Sequence, residues 1–394
     1  MPTRTASIIG GGIGGMTAGL ALMRRGWRVR IYEQAPTLRE VGAGISISPG
    51  AGAGLASLGL ETALLRASLP VARLAFVHFR TGEVLSSSTE PGPGDPGLAV
   101  ARHIHRADLQ AMLVDAVRGL DPDAIVFGRR LTRLEPASRV AAHFADGSRA
   151  EADVLIAADG VRSVARRELF GDGAPRFAGQ VAFRCLIPRA AAEPFLGAGN
   201  AVVSIGGGRI FHRYLIRDGS LLNVIGIAQS DAWPHESWDT PASVAEFLAL
   251  YRDFHADVTG LIERAADAQL IKWGLFVRPP LVRWSVGRVG LLGDAAHPIL
   301  PFLGLGAALA IEDAIVIARA LDETPQPEAA LGRYQATRLA RVEAVRLASI
   351  RQGEIIQTAD VTRQSLARAP AGNDALFDFD PCRIPLQRDA SPPH

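Results

Sequence analysis

Short apolar runs broken by glycines fill the first part of the chain, and their lengths separate strands from helices. Residues 5–10 form an apolar run that enters a glycine-rich turn, and the next apolar stretch continues to about residue 25. The short run predicts a buried strand, and the longer stretch predicts a helix that Gly26 ends. Residues 27–33 predict a second strand. The order strand, helix, strand indicates a Rossmann-like α/β unit.

Two later apolar runs also end in an acidic turn. Residues 153–158 predict a strand that ends at Asp159-Gly160, which we expect to be a second nucleotide-facing loop. Residues 289–293 predict another strand, which ends at Asp294 and is followed by a Pro/Gly-rich loop and a helix over 307–321. A further long helix is predicted over 327–357.

The segment 180–282 has a different, β-rich pattern with many turns. Strands are predicted at 181–187, 201–205, 209–216 and 221–228, with a helix near 244–254. No nucleotide motif occurs in this segment, so we expect a sheet that forms the wall of a substrate pocket. Alternation along 209–216 puts His212 and Tyr214 on one face and Arg213 on the other, and either face could be the inner one.

Composition and charge argue against several classes of partner. The 394 residues are 48% hydrophobic and carry a formal net charge of +2 without a Lys/Arg run, which disfavours nucleic acid or an anionic membrane as the main partner. No apolar stretch is long enough to span a bilayer, and the N-terminus shows no signal peptide. Two cysteines provide no disulfide framework. We therefore expect a cytoplasmic monomer or homodimer that acts on a small molecule.

The first glycine-rich turn has the pattern of a dinucleotide site. Gly10, Gly12 and Gly15 fit G-x-G-x-x-G, which supplies a tight turn, close approach to a pyrophosphate and close packing of helix on strand. Glu33 ends the second strand at the distance where an acid bonds a ribose hydroxyl. Because strand, helix and acid are all present, the pattern predicts a bound dinucleotide.

The loop after Asp294 has the composition of a site for a flat ligand. Gly304 and Gly306 let backbone N–H groups approach such a ligand closely, where a larger residue would clash. The positive end of the following helix would hold negative charge on that ligand. Asp294 itself is placed to accept a sugar-alcohol hydroxyl.

These three motifs, in this order and spacing, resemble the group A flavoprotein monooxygenases, the single-component aromatic hydroxylases such as salicylate and 6-hydroxynicotinate hydroxylases. The resemblance covers roughly residues 1–360. It implies a Rossmann-like FAD-binding domain, interleaved with a β-sheet substrate domain. It also implies reduction of FAD by NADH or NADPH without a second Rossmann fold, and the chain has no second glycine motif. We expect the FAD to be non-covalent, because no Cys or His stands in a flavin-linkage motif.

The resemblance and the β-rich segment together predict the domain division. Residues 1–72, 98–179 and 283–360 would form the FAD-binding domain, residues 73–97 and 180–282 the substrate domain, and residues 361–394 a C-terminal tail. Within the first of these domains, the resemblance implies that Gly12, Gly14 and Gly15 contact the pyrophosphate. It places the backbone of 303–307 at the pyrimidine edge of the flavin.

The resemblance also implies single-residue roles toward FAD. Glu33 would bond the adenosine ribose, Gly44 and its neighbours would lie along the flavin, Arg106 would bond the cofactor, Asp159 would order the loop near the pyrophosphate, and Asp294 would hold the ribityl chain. The full set of expected cofactor residues is Gly10, Gly12, Gly14, Gly15, Glu33, Gly44, Ser46, Arg106, Asp159, Asp294, Pro298, Gly304, Leu305, Gly306 and Ala307.

Three positions depart from the family pattern and affect the prediction of the substrate. At Ser46 the 6-hydroxynicotinate type carries a His that is implicated in substrate deprotonation. At Phe302 some members have His, and at Leu305 many have Gln. An apolar Leu305 beside the ring indicates a less polar pocket, so Phe302 and Leu305 are expected to form the apolar wall against the substrate.

The chemistry that the resemblance implies is hydroxylation of a small phenolic or hydroxypyridine-type ring. Reduced FAD reacts with O2 to give a C4a-hydroperoxide, which transfers oxygen to the ring, while the protein excludes water and orients the substrate. A base near a phenol would speed the attack, so His212 and Tyr214 are the candidate catalytic and substrate residues. Both are equally compatible with a structural role. A flavin-dependent reductase or dehydrogenase and a non-catalytic flavin-binding protein stay open, and substrate-stimulated oxygen uptake separates them from a monooxygenase.

Overall fold

The computed structural model describes residues 4–37, 43–88, 96–197, 200–233, 239–369 and 376–388. The strands are β1 (Thr5–Ile9), β2 (Arg28–Tyr32), β3 (Gly44–Ile47), β4 (Ser68–Pro70), β5 (Leu74–His78), β6 (Val84–Ser87), β7 (Arg102–His105), β8 (Ile125–Val126), β9 (Leu131–Glu135), β10 (Val140–Phe144), β11 (Arg149–Ala152), β12 (Val154–Ala157), β13 (Arg176–Pro188), β14 (Ala201–Gly206), β15 (Arg209–Ile216), β16 (Leu221–Gln229), β17 (Thr240–Pro241), β18 (Ile271–Val277), β19 (Ser285–Val286) and β20 (Val289–Leu291). The helices are α1 (Ile13–Met23), α2 (Pro49–Ser57), α3 (Glu61–Ala67), α4 (Arg106–Leu120), α5 (Val164–Phe170), α6 (Arg189–Ala192), α7 (Val244–Tyr251), α8 (Ala256–Ile262), α9 (Gly306–Glu323), α10 (Pro327–Ile356) and α11 (Arg363–Leu366).

The predicted Rossmann-like unit forms the centre of a parallel sheet. Its strand order is β19-β20-β12-β1-β2-β8, and only the β19–β20 pairing is antiparallel. Helices α1, α4 and α9 pack together beside this sheet. Parallel strands are covered on both faces, which is why β12 is apolar and buried along its whole length. The fold class predicted from the sequence is confirmed.

The glycines of the first turn are required by packing as well as by conformation. Gly10 has a φ of +102°, and a Cβ there would lie 2.3 Å from the carbonyl oxygen of Ala158. A Cβ at Gly15 would lie 1.9 Å from the carbonyl oxygen of Gly10. These contacts bring the first turn of α1 directly onto β1, as the third glycine of the motif predicts.

The β-rich segment forms most of a second, eight-stranded sheet. Its order is β17-β18-β13-β16-β15-β14-β5-β6, antiparallel except where β14 pairs with β5. One face packs on α7 and α8 through residues such as Phe183 and Phe211. The opposite face includes Ile210 and Trp273, which pack toward the C-terminal end of α10. Alternate residues of these strands therefore pack on opposite faces of the sheet.

The predicted strands of the segment 180–282 are present, but several elements escaped the sequence pattern. Strands β9 and β11 were missed because their exposed positions carry charged residues and leave no clear apolar run. Helix α8 and strand β18 were missed as well. Parts of the predicted FAD-binding domain (38–42), of the predicted substrate domain (89–95) and of the predicted tail (370–375 and 389–394) lie outside the described residues. None of the helices within the described ranges combines the length and apolar character that a membrane span requires.

Candidate active site

A cavity of about 540 Å³ lies between the parallel sheet and the eight-stranded sheet. This volume is typical of small-molecule sites. The predicted site residues that line it are Gly12, Gly14, Gly44, Ser46, Arg106, His212, Tyr214, Asp294, Phe302, Gly304, Leu305, Gly306 and Ala307. The predicted residues outside its lining are Gly10, Gly15, Glu33, Asp159 and Pro298. The structure thus brings the three separate motifs to one cavity, while the role of each residue stays a prediction.

The end of the cavity at α1 has the features that a pyrophosphate and a ribose require. Gly12 precedes α1 without a side-chain cap, and a Cβ at Gly12 would meet no atom within 4 Å. The first N–H groups of α1 therefore remain available to an anion. Glu33 lies just after β2 and accepts hydrogen bonds from the backbone N–H groups of Gly11 and Ala35, each at 2.8 Å. These bonds fix the carboxylate beside the glycine turn.

The Asp159 side chain forms hydrogen bonds with the start of α5, the helix that follows it. Its carboxylate accepts hydrogen bonds from the Ser163 hydroxyl at 2.6 Å and from the backbone N–H groups of Val164 and Ala165 at 2.8 and 3.1 Å. Burial raises the pKa of Asp159, and these hydrogen bonds oppose that shift. The neighbouring Gly160 lines the cavity. Asp159 therefore orders this loop through hydrogen bonds to α5.

The turn that carries Asp294 is held from behind by Asp313. The Asp294 side chain is exposed to the cavity, and desolvation by the surrounding protein raises the pKa of its carboxyl. Asp313 Oδ2 accepts the Gly293 N–H at 3.0 Å and lies 2.6 Å from His297 Nε2. Arg338 Nε donates to the other Asp313 oxygen at 2.7 Å. The strand end is therefore fixed while the Asp294 carboxylate stays open to a ligand.

The start of α9, directly after the loop that follows this turn, leaves backbone N–H groups available at the cavity, whereas the Gly304 N–H donates to the carbonyl oxygen of Pro301 at 3.0 Å. Gly304 has a φ of +68°, the left-handed conformation that favours glycine. Gly306 begins α9, which has no side-chain cap at its N-terminus. Uncapped N–H groups at a helix start attract negative charge on a ligand. This geometry and the Gly12 turn fit the two ends of an FAD molecule.

The structure places His212 and Tyr214 on the inner face of the eight-stranded sheet. Both line the cavity. Arg213 points to the opposite face, where it donates to the carbonyl oxygen of Leu196 at 3.3 Å and pairs with Asp257 at 3.7 Å. Of the two faces of the strand 209–216, the one with His212 and Tyr214 is therefore the inner face.

His103 joins these two residues in one ring cluster that the sequence did not reveal. Its ring stacks on Tyr214 with centroids 3.8 Å apart, and the His212 ring lies 4.7 Å from Tyr214. Burial lowers the pKa of His212 to about 4 and lowers that of His103 as well, while it raises the pKa of Tyr214. At neutral pH both imidazoles are uncharged and the phenol keeps its proton. The cluster can therefore accept and donate hydrogen bonds while its side chains stay uncharged.

Gly44 connects this ring cluster to the rest of the cavity wall. Its N–H donates to Asn223 Oδ1 at 2.8 Å, and a Cβ at Gly44 would lie 2.4 Å from Tyr214 Cε2. Glycine is therefore required for the close approach of β3 to the Tyr214 ring. Ser46, two residues along β3, lies next to Gly304 across the cavity wall.

Arg184 is a second cavity residue that the sequence interpretation missed. It lies on β13, lines the cavity and rests over the Trp273 ring, with its guanidinium carbon 4.5 Å from the centroid. The signal that could have found it is the one charged residue in the otherwise apolar run 181–187. Phe183 and Cys185 beside it face the buried opposite side of the sheet.

Comparison with known proteins agrees with this site. A family model described as "FAD binding domain" matches residues 3–185 and 272–349. The chain is 35% identical to 6-hydroxynicotinate 3-monooxygenase of Pseudomonas fluorescens over 86% of this chain and 88% of that protein. It is 32% identical to 3-hydroxybenzoate 6-hydroxylase 1 of Aquipseudomonas alcaligenes over 94% of both proteins.

A solved structure extends the agreement to three dimensions. The crystal structure of Klebsiella pneumoniae HpxO complexed with FAD and uric acid superimposes with a TM-score of 0.82 and 28% identity, covering 95% of this chain and 93% of that one. The similarity therefore spans both sheets and the cavity between them. With the three motifs assembled around one cavity, the chain belongs to the FAD-dependent aromatic monooxygenases that share this FAD binding domain.

Proposed function

We propose that this monooxygenase uses NADH or NADPH and O2 to hydroxylate a small aromatic substrate of the phenolic or hydroxypyridine type. The observation that carries the proposal is the ring cluster of His103, His212 and Tyr214, which shares a cavity with Asp294. The names of the relatives support the substrate class, since one acts on 6-hydroxynicotinate and another on 3-hydroxybenzoate.

In this proposal the two sides of the cavity have separate tasks. The residues around the parallel sheet, 1–72, 98–179 and 283–360, would hold FAD, and residues 73–97 and 180–282 would hold the substrate. Bound FAD supplies the reductive activation of O2, which no amino-acid side chain provides. Gly12, Arg106 and Asp294 would hold it, together with the backbone of 304–307. We also propose that the enzyme works in the cytoplasm, where NADH and NADPH occur, as a monomer or homodimer.

The protein side chains orient the ring and exclude water from it. Phe302, Leu305 and Ile225 contribute apolar surface to the cavity, and a water-poor site favours oxygen transfer over loss of peroxide. His212 Nε2 is buried without a hydrogen-bond partner in the described residues. Because the imidazole is uncharged, it can accept a hydrogen bond from a substrate hydroxyl and so polarise it. The Tyr214 phenol keeps its proton and can donate to an oxygen or nitrogen of the substrate.

A screen of hydroxylated benzoates and hydroxypyridines tests the proposal. We expect at least one compound to stimulate both NAD(P)H oxidation and oxygen uptake, with a product that gains one oxygen atom by mass analysis. Catalase added to the assay reports the share of oxygen released as hydrogen peroxide. Electron transfer to the compounds without oxygen uptake would instead favour a reductase or dehydrogenase. A yellow protein that oxidises no NAD(P)H would favour a non-catalytic flavin-binding protein.

A further inference from the structure

One row of residues crosses the inner face of the eight-stranded sheet, from a cation to an imidazole. Arg184 on β13 pairs with Ile225 on β16, and Ile225 pairs with His212 on β15. All three residues line the cavity. Two strand spacings separate the backbones of Arg184 and His212 by about 9–10 Å. A six-membered ring fits over Ile225 between the two polar side chains.

The guanidinium of Arg184 has no anionic partner in the part of the chain that the structure describes. No carboxylate there forms an ion pair with it, and its Nε is buried without a hydrogen-bond partner. Burial lowers the pKa of Arg184 to about 10, so it remains charged at neutral pH. A buried charge without a counter-ion is costly to a fold, and a ligand that supplies the anion removes that cost.

The other cation of the cavity has a different electrostatic environment. Burial lowers the pKa of Arg106, while the carboxylates of Glu33 and Asp294 oppose that shift. Arg106 therefore lies within the negative potential of the predicted cofactor residues. Among the described residues no carboxylate acts on Arg184 in the same way, and the nearby Arg106 adds positive potential. The vicinity of Arg184 is consequently the part of the cavity that favours an anionic group on the substrate.

We propose that Arg184 binds the carboxylate of an aromatic acid, which holds the ring over Ile225 and directs its hydroxyl or ring nitrogen toward His212. This inference rests on the proposed function, because it names the class of substrate for the same cavity. A guanidinium matches a carboxylate with two parallel N–H···O bonds, which fixes orientation as well as charge. The aromatic face of Trp273, which packs against the Arg184 guanidinium, stabilises that group in its position.

The test compares binding of matched acids and amides to the FAD-loaded enzyme without NAD(P)H. The probes are 4-hydroxybenzoate with 4-hydroxybenzamide, 3-hydroxybenzoate with its amide, and 6-hydroxynicotinate with its amide, each titrated against the flavin absorbance spectrum. We expect the wild-type enzyme to bind at least one acid about tenfold to hundredfold more tightly than its amide, as for a charge-assisted bond. In Arg184→Met this ratio should fall to about one, with the FAD content unchanged.

Two further variants separate charge from geometry and from general damage. Arg184→Lys keeps the charge but loses the planar fork, so we expect an intermediate ratio. Arg176→Met changes an exposed arginine at the start of the same strand and should keep the wild-type ratio. Melting temperatures of all variants show whether each one is folded, and if Arg184→Met does not fold, Arg184→Lys decides the comparison.

Several results would overturn the inference. One is a wild-type enzyme that prefers no acid over its amide or binds none of the acids, and another is an unchanged ratio in Arg184→Met. The third is loss of FAD from Arg184→Met with the ratio retained, which would assign Arg184 to the cofactor. Failure of the proposed function is visible separately, as acid binding without stimulated oxygen uptake. Oxygen uptake that is stimulated only by neutral rings would leave that function intact and reject the role of Arg184.

Discussion

The two sides of the cavity differ in whether their buried ionisable groups form ion pairs. Behind the Asp294 turn, Asp313 is paired with Arg338 at 2.7 Å and with His297 at 2.6 Å, and Arg338 also pairs with Glu312 at 2.8 Å. On the sheet side, Arg184 and His212 each have a buried nitrogen without a hydrogen-bond partner, and neither forms an ion pair with a carboxylate of the described residues. Arg338 Nη1 also lacks a hydrogen-bond partner there, but the other two nitrogens of that guanidinium are paired. The paired charges lie beneath the wall of the cavity, and the unpaired groups line it.

The protonation states show what this difference does. Burial alone would raise the pKa of Asp313, but His297 and Arg338 hold it at about 2, so the carboxylate stays charged. Burial lowers the pKa of His212 to about 4, and no carboxylate in the described part of the chain opposes this shift, so the imidazole stays neutral. Paired charges are thus part of the scaffold that positions the cofactor turn. The groups without ion pairs, Arg184 and His212, remain available to bind a ligand in the cavity.

The largest effect that would test this comparison is loss of a paired charge. Arg338→Met leaves Asp313 and Glu312 buried without their main counter-ion, and breaking such a pair costs about 3–5 kcal/mol of unfolding free energy. Arg184→Met removes a charge that has no ionic partner among the described residues, so we expect its stability to stay at or above that of the wild type. Urea unfolding measures both. Similar losses in the two variants would reject the distinction between paired and unpaired sides.

Loss of the carboxylate at the cofactor turn should weaken FAD retention rather than folding. Asp294→Ala removes a hydrogen-bond acceptor that the scaffold presents to the cavity, which costs about 1.5–3 kcal/mol, or on the order of a tenfold to hundredfold loss of FAD affinity. Asp322→Ala is the matched control, since Asp322 is about half exposed and pairs only loosely with Arg4 and Arg25 at 3.6 and 3.9 Å. Equal FAD occupancy in the two purified variants would contradict the role of Asp294.

The neutral His212 predicts a dependence of stability on pH. Its pKa of about 4 in the folded protein lies below the usual 6.5, so the unfolded chain binds more protons between these values. Stability should therefore fall as the pH falls from 6.5 toward 4, with on the order of 2 kcal/mol lost at pH 5. His212→Asn removes this titration and should reduce the difference between pH 7 and pH 5, while Tyr214→Phe should keep it. An unchanged difference in His212→Asn would show that His212 is not buried in its neutral form.

The smallest predicted effect concerns the hydroxyl group of Tyr214. Tyr214→Phe keeps the stack on His103 but removes one hydrogen bond to the substrate, worth about 1 kcal/mol or roughly a fivefold change in affinity. We expect weaker substrate binding or a larger share of reducing equivalents released as hydrogen peroxide, with the FAD content intact. His212→Ala should act in the same direction. Unchanged affinity and coupling in both variants would place the substrate away from this ring cluster.

Most of the cofactor side of the cavity could be predicted from residues that are close together in the sequence. The glycines of residues 10–15, the acid at Glu33 and the turn at Asp294 each belong to one strand–turn–helix unit or its direct neighbour. The geometry of such a unit follows from a few adjacent residues, because short apolar runs and glycines fix the strand, the turn and the helix start. This is why the predicted motifs reach one cavity in the structure.

The substrate side was decided by the tertiary structure. Alternation along β15 separates His212 from Arg213, but only packing of the sheet against α7 and α8 determines which of them faces inward. The sequence also holds no sign that Arg184 and His212 share a row, since strand register arises from pairing across β16. Similarly, the Gly44 N–H bonds Asn223 at a separation of 179 positions. Local sequence therefore determined where a dinucleotide binds, and long-range register determined which side chains face the substrate.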